Sequence, residues 1–151
     1  KLIFVGPDEN VKLKNDLMNF IEEHKLQNNV IFTGSKHDIN TFYALADLVI
    51  SASTDPEAFG RVAIEAQAMG KFIIASNHGG SKETVIDNET GYLFMPNDVD
   101  DLTKKLENSI ESEIYKQPET IRSCINHIKE NFTKIRMCDE TIKFYKIVLD
   151  K

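Results

Sequence analysis

Two glutamates, Glu57 and Glu65, stand with seven residues between them in the run Asp55-Pro56-Glu57-Ala58-Phe59-Gly60-Arg61-Val62-Ala63-Ile64-Glu65. A strand-like run, Leu48-Val49-Ile50-Ser51-Ala52-Ser53, leads into it. If a helix opens near Gly60, one carboxylate lies in the loop and the other on the first helical turns, with unpaired backbone N–H groups between them. Those N–H groups and the positive end of the helix dipole suit an anion, most simply a phosphate or diphosphate. Gly60 lets the backbone approach closely, and Arg61 can reach a phosphate from the first turn. The glutamates would repel a phosphate but can accept hydrogen bonds from ribose or sugar hydroxyls. Taken together, the groups describe a nucleotide-sugar better than a nucleotide alone. The same residue types also suit a dipole partner and a solvated surface glutamate, and the residues by themselves leave both accounts open.

A second candidate follows the next strand, in Ser76-Asn77-His78-Gly79-Gly80-Ser81. Paired glycines would let the amides of Gly80 and Ser81 point into a cleft, with Glu83 near hydroxyls. A plain glycine turn is the alternative. Gly6-Pro7-Asp8-Glu9-Asn10 lacks the G-x-G-x-x-G fingerprint and no G-x-x-x-x-G-K-S/T occurs, which argues against a standard NAD site or a P-loop NTPase. Cys124, His127 and Cys138 match no zinc spacing and read as core or boundary positions on helices. His24 and His37 carry no recognisable chemistry. No metal and no resident cofactor are expected.

These groups must be positioned by a regular alternation of elements. Leu2 to Val5 is a short apolar run closed by Gly6-Pro7, and from Asp8 the spacing turns helical, with Leu13, Leu17, Phe20, Ile21 and His24 on one face until Asn28-Asn29. Val30-Ile31-Phe32-Thr33 is the next strand, Asp38 caps a short helix with Phe42, Leu45 and Ala46, and Leu48 to Ser53 is the third strand. A helix from about Gly60 to Met69, strand Phe72 to Ala75, a helix opened by Gly79-Gly80 through Ile86, and strand Tyr92-Leu93-Phe94 complete the series. Continuous apolar strands separated by helices predict an α/β fold with a doubly wound parallel sheet, whose ligands bind beyond the C-terminal strand ends. From Asn97 the pattern is helical only. Asp98 or Asp100 caps a helix with Leu102, Leu106 and Ile110, and Pro118 opens another with Ile121, Ile125 and Ile128. Asn131-Phe132-Thr133 breaks it, and a last helix aligns Cys138, Ile142, Tyr145 and Leu149. The expected organisation is one domain over 1–151, with a sheet core 1–96 and a helical tail 97–151.

Composition agrees with a folded domain and narrows its partners. The chain has 151 residues and 41% apolar content, enough for an ordinary core. A formal net charge of -6, from 18 Lys and Arg against 24 Asp and Glu, gives no footprint for nucleic acid or an anionic membrane. The two cysteines are not framed as a secreted disulfide scaffold and suggest a reducing compartment. No apolar run reaches the ~18 residues of a membrane span.

The sequence resembles the C-terminal, donor-binding domain of retaining GT-B glycosyltransferases of glycosyltransferase family 4, the "glycosyl transferases group 1". The resemblance is carried by Ala46-Asp47-Leu48-Val49-Ile50-Ser51-Ala52-Ser53, Glu57-Ala58-Phe59-Gly60 and Glu65-Ala66-Gln67-Ala68-Met69-Gly70, in that order. Ile73-Ile74-Ala75-Ser76, His78-Gly79-Gly80 and Asp87-Asn88-Glu89-Thr90-Gly91-Tyr92-Leu93-Phe94 follow, with Val30-Ile31-Phe32-Thr33-Gly34 upstream. It covers nearly all of Leu2 to Ile110 and, more loosely, the helical tail. The resemblance implies that Glu57 touches the hydroxyls of the transferred sugar and is the catalytic-site glutamate, while Glu65 holds the ribose. It also implies that Phe59, Gly60, Arg61 and Val62 line the diphosphate and sugar, that Gly6, Pro7, Gly34 and Ser35 border the base, and that Gly79 and Gly80 shape the cleft floor.

Three departures accompany the resemblance. The family's Glu-Gly-Phe-Gly is Glu57-Ala58-Phe59-Gly60 here, a mild change. The family's domain also begins with an earlier strand and helix, bearing an Arg and a Lys for the leaving diphosphate, that have no counterpart in this sequence. That strand is central in the usual order, so the expectation is a sheet that lacks a middle strand or borrows one, leaving a gap through which copies can self-associate. The N-terminal Rossmann-like domain that binds an acceptor sugar or lipid-linked glycan is the third absence, so the chain alone is expected to be inactive. The implied function is the donor-binding part of a retaining glycosyltransferase, moving a sugar from an NDP-sugar to an acceptor alcohol in polysaccharide or glycolipid synthesis. Such a protein would be cytoplasmic or at the inner membrane face. Competing readings are a fragment of a non-hydrolysing NDP-sugar epimerase and a non-catalytic sugar-nucleotide or protein-binding module.

Overall fold

The computed structural model describes residues 1–7 and 10–149, and the chain divides into two compact units, Lys1–Thr41 and Phe42–Lys151. In the first, β1 (Leu2–Phe4) and β2 (Val30–Phe32) pair in parallel, Leu2 opposite Val30 and Phe4 opposite Phe32, joined through α1 (Val11–Glu23). Asn10 caps α1, its Oδ1 accepting from the Leu13 N–H at 2.9 Å. Asp8, the expected start of the helical spacing, lies outside the described residues. The helix ends at Glu23, short of Asn28-Asn29, because Lys25 turns left-handed (φ 57). The Leu26 and Lys25 N–H groups then bond back to the carbonyls of Ile21 (2.8 Å) and Glu22 (3.1 Å). This closing motif satisfies two carbonyls that a straight end would leave open. The apolar spacing of Leu13, Phe20 and His24 continues past the point where the backbone stops.

Helix α2 (Ile39–Leu45) runs across the division between the units, and its buried residue is Tyr43, while Leu45 is exposed. In the second unit, β3 (Val49–Ser51), β4 (Ile73–Ser76) and β5 (Gly91–Phe94) form a parallel sheet with β4 in the middle. Every residue of β4 is buried, as a strand covered on both faces requires. Connecting it are α3 (Arg61–Ala68) and the single turn α4 (Ser81–Thr84). The helix expected through Ile86 stops at Thr84 because Val85 is already extended (φ -119). Thr90 Oγ1 accepts from the Ile86 N–H at 3.0 Å and turns the chain into β5.

The helical remainder follows the expected order: α5 (Val99–Ser112), a 3-10 turn (Ile114–Lys116), α6 (Pro118–Asn131) and α7 (Lys134–Leu149). Asp98 is the α5 cap, its Oδ1 accepting from Asp101 N–H at 2.9 Å, and Pro118 opens α6, where its missing N–H costs nothing. Helix α6 packs on α3 and buries Cys124 and Ile128 in a core with Phe72, Ile73, Ile74, Ala66 and Phe94. Helix α7 buries nothing among the described residues; its stripe of Cys138, Ile142, Tyr145 and Leu149 is exposed. The architecture is a doubly wound parallel α/β fold with flanking helices. Its strands are hydrogen-bonded as β1-β2 and as β3-β4-β5.

Candidate functional site

The chemistry-bearing residues of the second unit gather where β3 and β4 end and α3 begins. The loop after β3 carries Glu57, whose Oε1 accepts from the Ser53 hydroxyl and, at 3.4 Å, from the Ser51 hydroxyl. Ser51 and Ser53 alternate along the emerging strand and so fall on one side of it, which is why both reach one carboxylate oxygen. Glu57 is half-buried. His78, in the loop after β4, places Nε2 at 2.8 Å from the Ser53 carbonyl. Because a carbonyl can only accept, this nitrogen carries the proton. Two successive strand ends are thereby tied together behind Glu57.

The Gly79-Gly80 pair is explained by close approach. The Gly80 N–H donates to the Glu57 carbonyl at 2.7 Å. A Cβ on Gly79 would stand 2.4 Å from that carbonyl oxygen, and one on Gly80 would stand 2.4 Å from the Phe59 carbonyl carbon. No side chain fits in either place. The structure therefore corrects one expectation: the Gly80 amide does not point into a cleft but is spent holding the Glu57–Phe59 backbone. Gly60 caps α3 in the left-handed region (φ 74), which an L side chain would resist.

From Gly60 the helix presents an incompletely used N-terminus. Ala63 and Ile64 turn their N–H groups to the Gly60 carbonyl (3.0 and 3.3 Å). Arg61 and Val62, the first two residues of α3, are too early for an intrahelical acceptor. One turn on, Glu65 Oε1 pairs with Arg61 Nη2 at 2.9 Å, and Oε2 accepts from the Tyr43 hydroxyl at 3.0 Å. Burial first, and the bond to Glu65 second, push the Tyr43 phenol well above its ordinary pKa, so it remains a donor. Underneath, the buried Gln67 donates to the carbonyls of Ala63 (2.9 Å) and Thr84 (2.8 Å), locking α3 to α4. Phe59 stays half exposed, with its ring edge-on to Phe132 at 6.1 Å.

In the first unit, Gly6, Pro7 and Gly34 lie at the C-terminal ends of β1 and β2, where Gly6 N–H donates to the Gly34 carbonyl at 3.2 Å. Gly6 and Pro7 border a cavity of about 210 Å³ with Asn10, Leu13 and the stacked rings of Phe4 and Phe32, 5.0 Å apart. Ser35 is exposed on the following turn.

Within the second unit, Glu57, Phe59, Gly60, Arg61, Val62, Glu65, Gly79 and Gly80 are thus drawn together by one loop, one helix start and one glycine turn. Tyr43, Ser53 and Gln67 were not anticipated. Nothing local in the sequence couples Tyr43 to a glutamate 22 positions away, and Ser51 and Ser53 read simply as strand. No cluster of three or more His, Cys, Asp or Glu able to hold a metal occurs among the described residues. Cys124 is buried in α6 and Cys138 exposed on α7, so they do not share a site.

The family model described as "Glycosyl transferases group 1" matches residues 1–130. Protein CapJ of Staphylococcus aureus is 32% identical over 155 aligned residues, covering 99% of this chain and 38% of that protein. A glycosyltransferase structure from Rickettsia africae superposes with a TM-score of 0.85 at 33% identity, covering 97% of this chain and 39% of its own. HepE of Anabaena, solved in complex with UDP, superposes with a TM-score of 0.86 at 27% identity, covering 95% of this chain and 40% of its own. The chain therefore spans about two fifths of the length of the relatives it matches.

Proposed function

This chain belongs to the glycosyl transferases group 1 family, and from that premise we propose that it is the donor-binding part of a retaining glycosyltransferase that moves a sugar from an NDP-sugar to an acceptor alcohol. The observation that carries the proposal is the pair of anchored carboxylates, Glu57 and Glu65, on either side of the α3 N-terminus. Glu65 accepts hydrogen bonds from the ribose. The diphosphate lies at the Arg61 and Val62 N–H groups, where the helix dipole and the Arg61 guanidinium favour negative charge. Glu57, with Oε1 already engaged by Ser51 and Ser53, turns Oε2 to the hydroxyls of the sugar. Gly6, Pro7, Gly34 and Ser35 border the base.

The chemical consequence is electrostatic. As the bond from the sugar to the diphosphate breaks, negative charge grows on the leaving oxygen, and fixed N–H groups at a helix start stabilise it without reorganising. Similarity to HepE, solved with UDP and with UDP-glucose, supports a nucleotide-sugar donor, and similarity to the capsular polysaccharide biosynthesis glycosyltransferase CapM of Staphylococcus aureus supports a role in surface polysaccharide or glycolipid synthesis. The acceptor, the cytoplasmic setting and self-association along the unpaired edge of β3 belong to the same reading. No helix among the described residues is long and apolar enough to cross a membrane. The test is to incubate the full-length protein with UDP- and GDP-sugars and a glycan or lipid-linked acceptor, and to read the product's anomeric configuration by NMR. Transfer with the donor's configuration kept is expected; inverted product would refute the retaining assignment.

A further inference from the structure

The carboxylate of Glu65 is held at its two oxygens by partners of opposite character. Oε2 accepts from Tyr43, a residue only 6% exposed, at 3.0 Å. Oε1 pairs with Arg61, whose side chain is 83% exposed. An exposed i,i+4 ion pair is a weak restraint, loosened by water and salt and easily exchanged for another donor. The phenol bond is not so easily exchanged, because breaking it would strand a buried hydroxyl. One oxygen is fixed and the other is on offer.

We propose that Tyr43 is a positioning residue for ribose recognition: it pins Oε2 so that Glu65 presents Oε1 to the 2′ and 3′ hydroxyls, which displace Arg61 when the nucleotide binds. The inference rests on the reading of Glu65 as the ribose ligand. A free glutamate can spread its carboxylate over many rotamers, and each must be given up on binding. Tyr43 removes that freedom before the ligand arrives. It leaves both lone pairs of Oε1 for a vicinal diol, with the second lone pair of Oε2 in reserve. Burial first, and the bond to Glu65 second, keep the phenol protonated and so a donor. The displaced guanidinium stays one helical turn away, beside the N–H groups proposed for the diphosphate, so exchange does not discard the cation.

The experiment is a ratio. Of UDP, GDP and ADP, the diphosphate that binds the full-length protein is compared by calorimetry with its 2′,3′-dideoxy analogue. The wild type, Tyr43→Phe, Glu65→Ala and the double variant are all measured. Tyr43→Phe keeps the ring and its packing. The expected result is that its preference for the ribose form falls about tenfold while affinity for the dideoxy form and the thermal midpoint hold. In the Glu65→Ala background, Tyr43→Phe should change the ratio no further. A Tyr43→Phe protein that keeps the full preference overturns the inference, provided Glu65→Ala loses it. So does one that weakens both ligands equally, or that does not fold, since the hydroxyl is then merely structural. If Glu65→Ala discriminates like the wild type, or no diphosphate binds, the ribose assignment itself fails and the inference falls with it.

Discussion

At the scale of single residues, the site is made by what glycine lacks and by what serine and tyrosine add. The Glu57–Phe59 backbone lies on Gly79-Gly80 so closely that hydrogen is the only tolerable side chain at either position. Gly80→Ala should therefore lower stability by about 1 to 3 kcal/mol, the usual cost of overpacking, and move Glu57 off its Ser51 and Ser53 donors. Thermal unfolding together with nucleotide-sugar binding checks this; an alanine variant of wild-type stability and affinity would show that the loop is not clamped as described. The glutamates themselves were legible from sequence, since two carboxylates flanking a glycine at a strand-to-helix junction carry chemical meaning by residue type and spacing alone. Their supports were not. Tyr43 reaches Glu65 from a separate helix, His78 reaches the Ser53 carbonyl from the loop after a separate strand, and Ser53 itself reads only as strand, so sequence spacing carries no trace of these supports.

At the scale of elements, β4 shows why strands were readable: Ile73-Ile74-Ala75 is buried on both faces, so its apolar run is unbroken. Helix ends were less readable because they are decided by one residue's backbone, as at Lys25, while the apolar spacing runs on. Helices α6 and α7 look alike in sequence, each with an apolar stripe and one cysteine, yet only α6 is packed. Cys124, fully buried against the Thr90 carbonyl at 3.4 Å, has its thiol pushed up to about 12, chiefly by burial. It should stay protonated, and so unreactive, across the range in which the protein is handled. Iodoacetamide at about pH 8, close to the ordinary thiol pKa, is expected to modify Cys138 and spare Cys124 until denaturant is added, as read by peptide mass spectrometry. Equal labelling of both in the native protein would contradict the packing of α6 on α3.

At the scale of the whole molecule, the chain belongs to a family whose compared members are about two and a half times its length. The division of labour proposed here gives the two glutamates different ligands, and that difference can be measured. Calorimetry on the full-length protein should compare a nucleoside diphosphate with its sugar conjugate for the wild type, Glu57→Gln and Glu65→Ala. Glu65→Ala is expected to weaken both ligands in parallel, by about tenfold or more, as loss of a charged hydrogen-bond acceptor does. Glu57→Gln should weaken the sugar conjugate while leaving the bare diphosphate nearly untouched. If Glu65→Ala binds both ligands as tightly as the wild type, the paired-carboxylate account of the donor site is wrong.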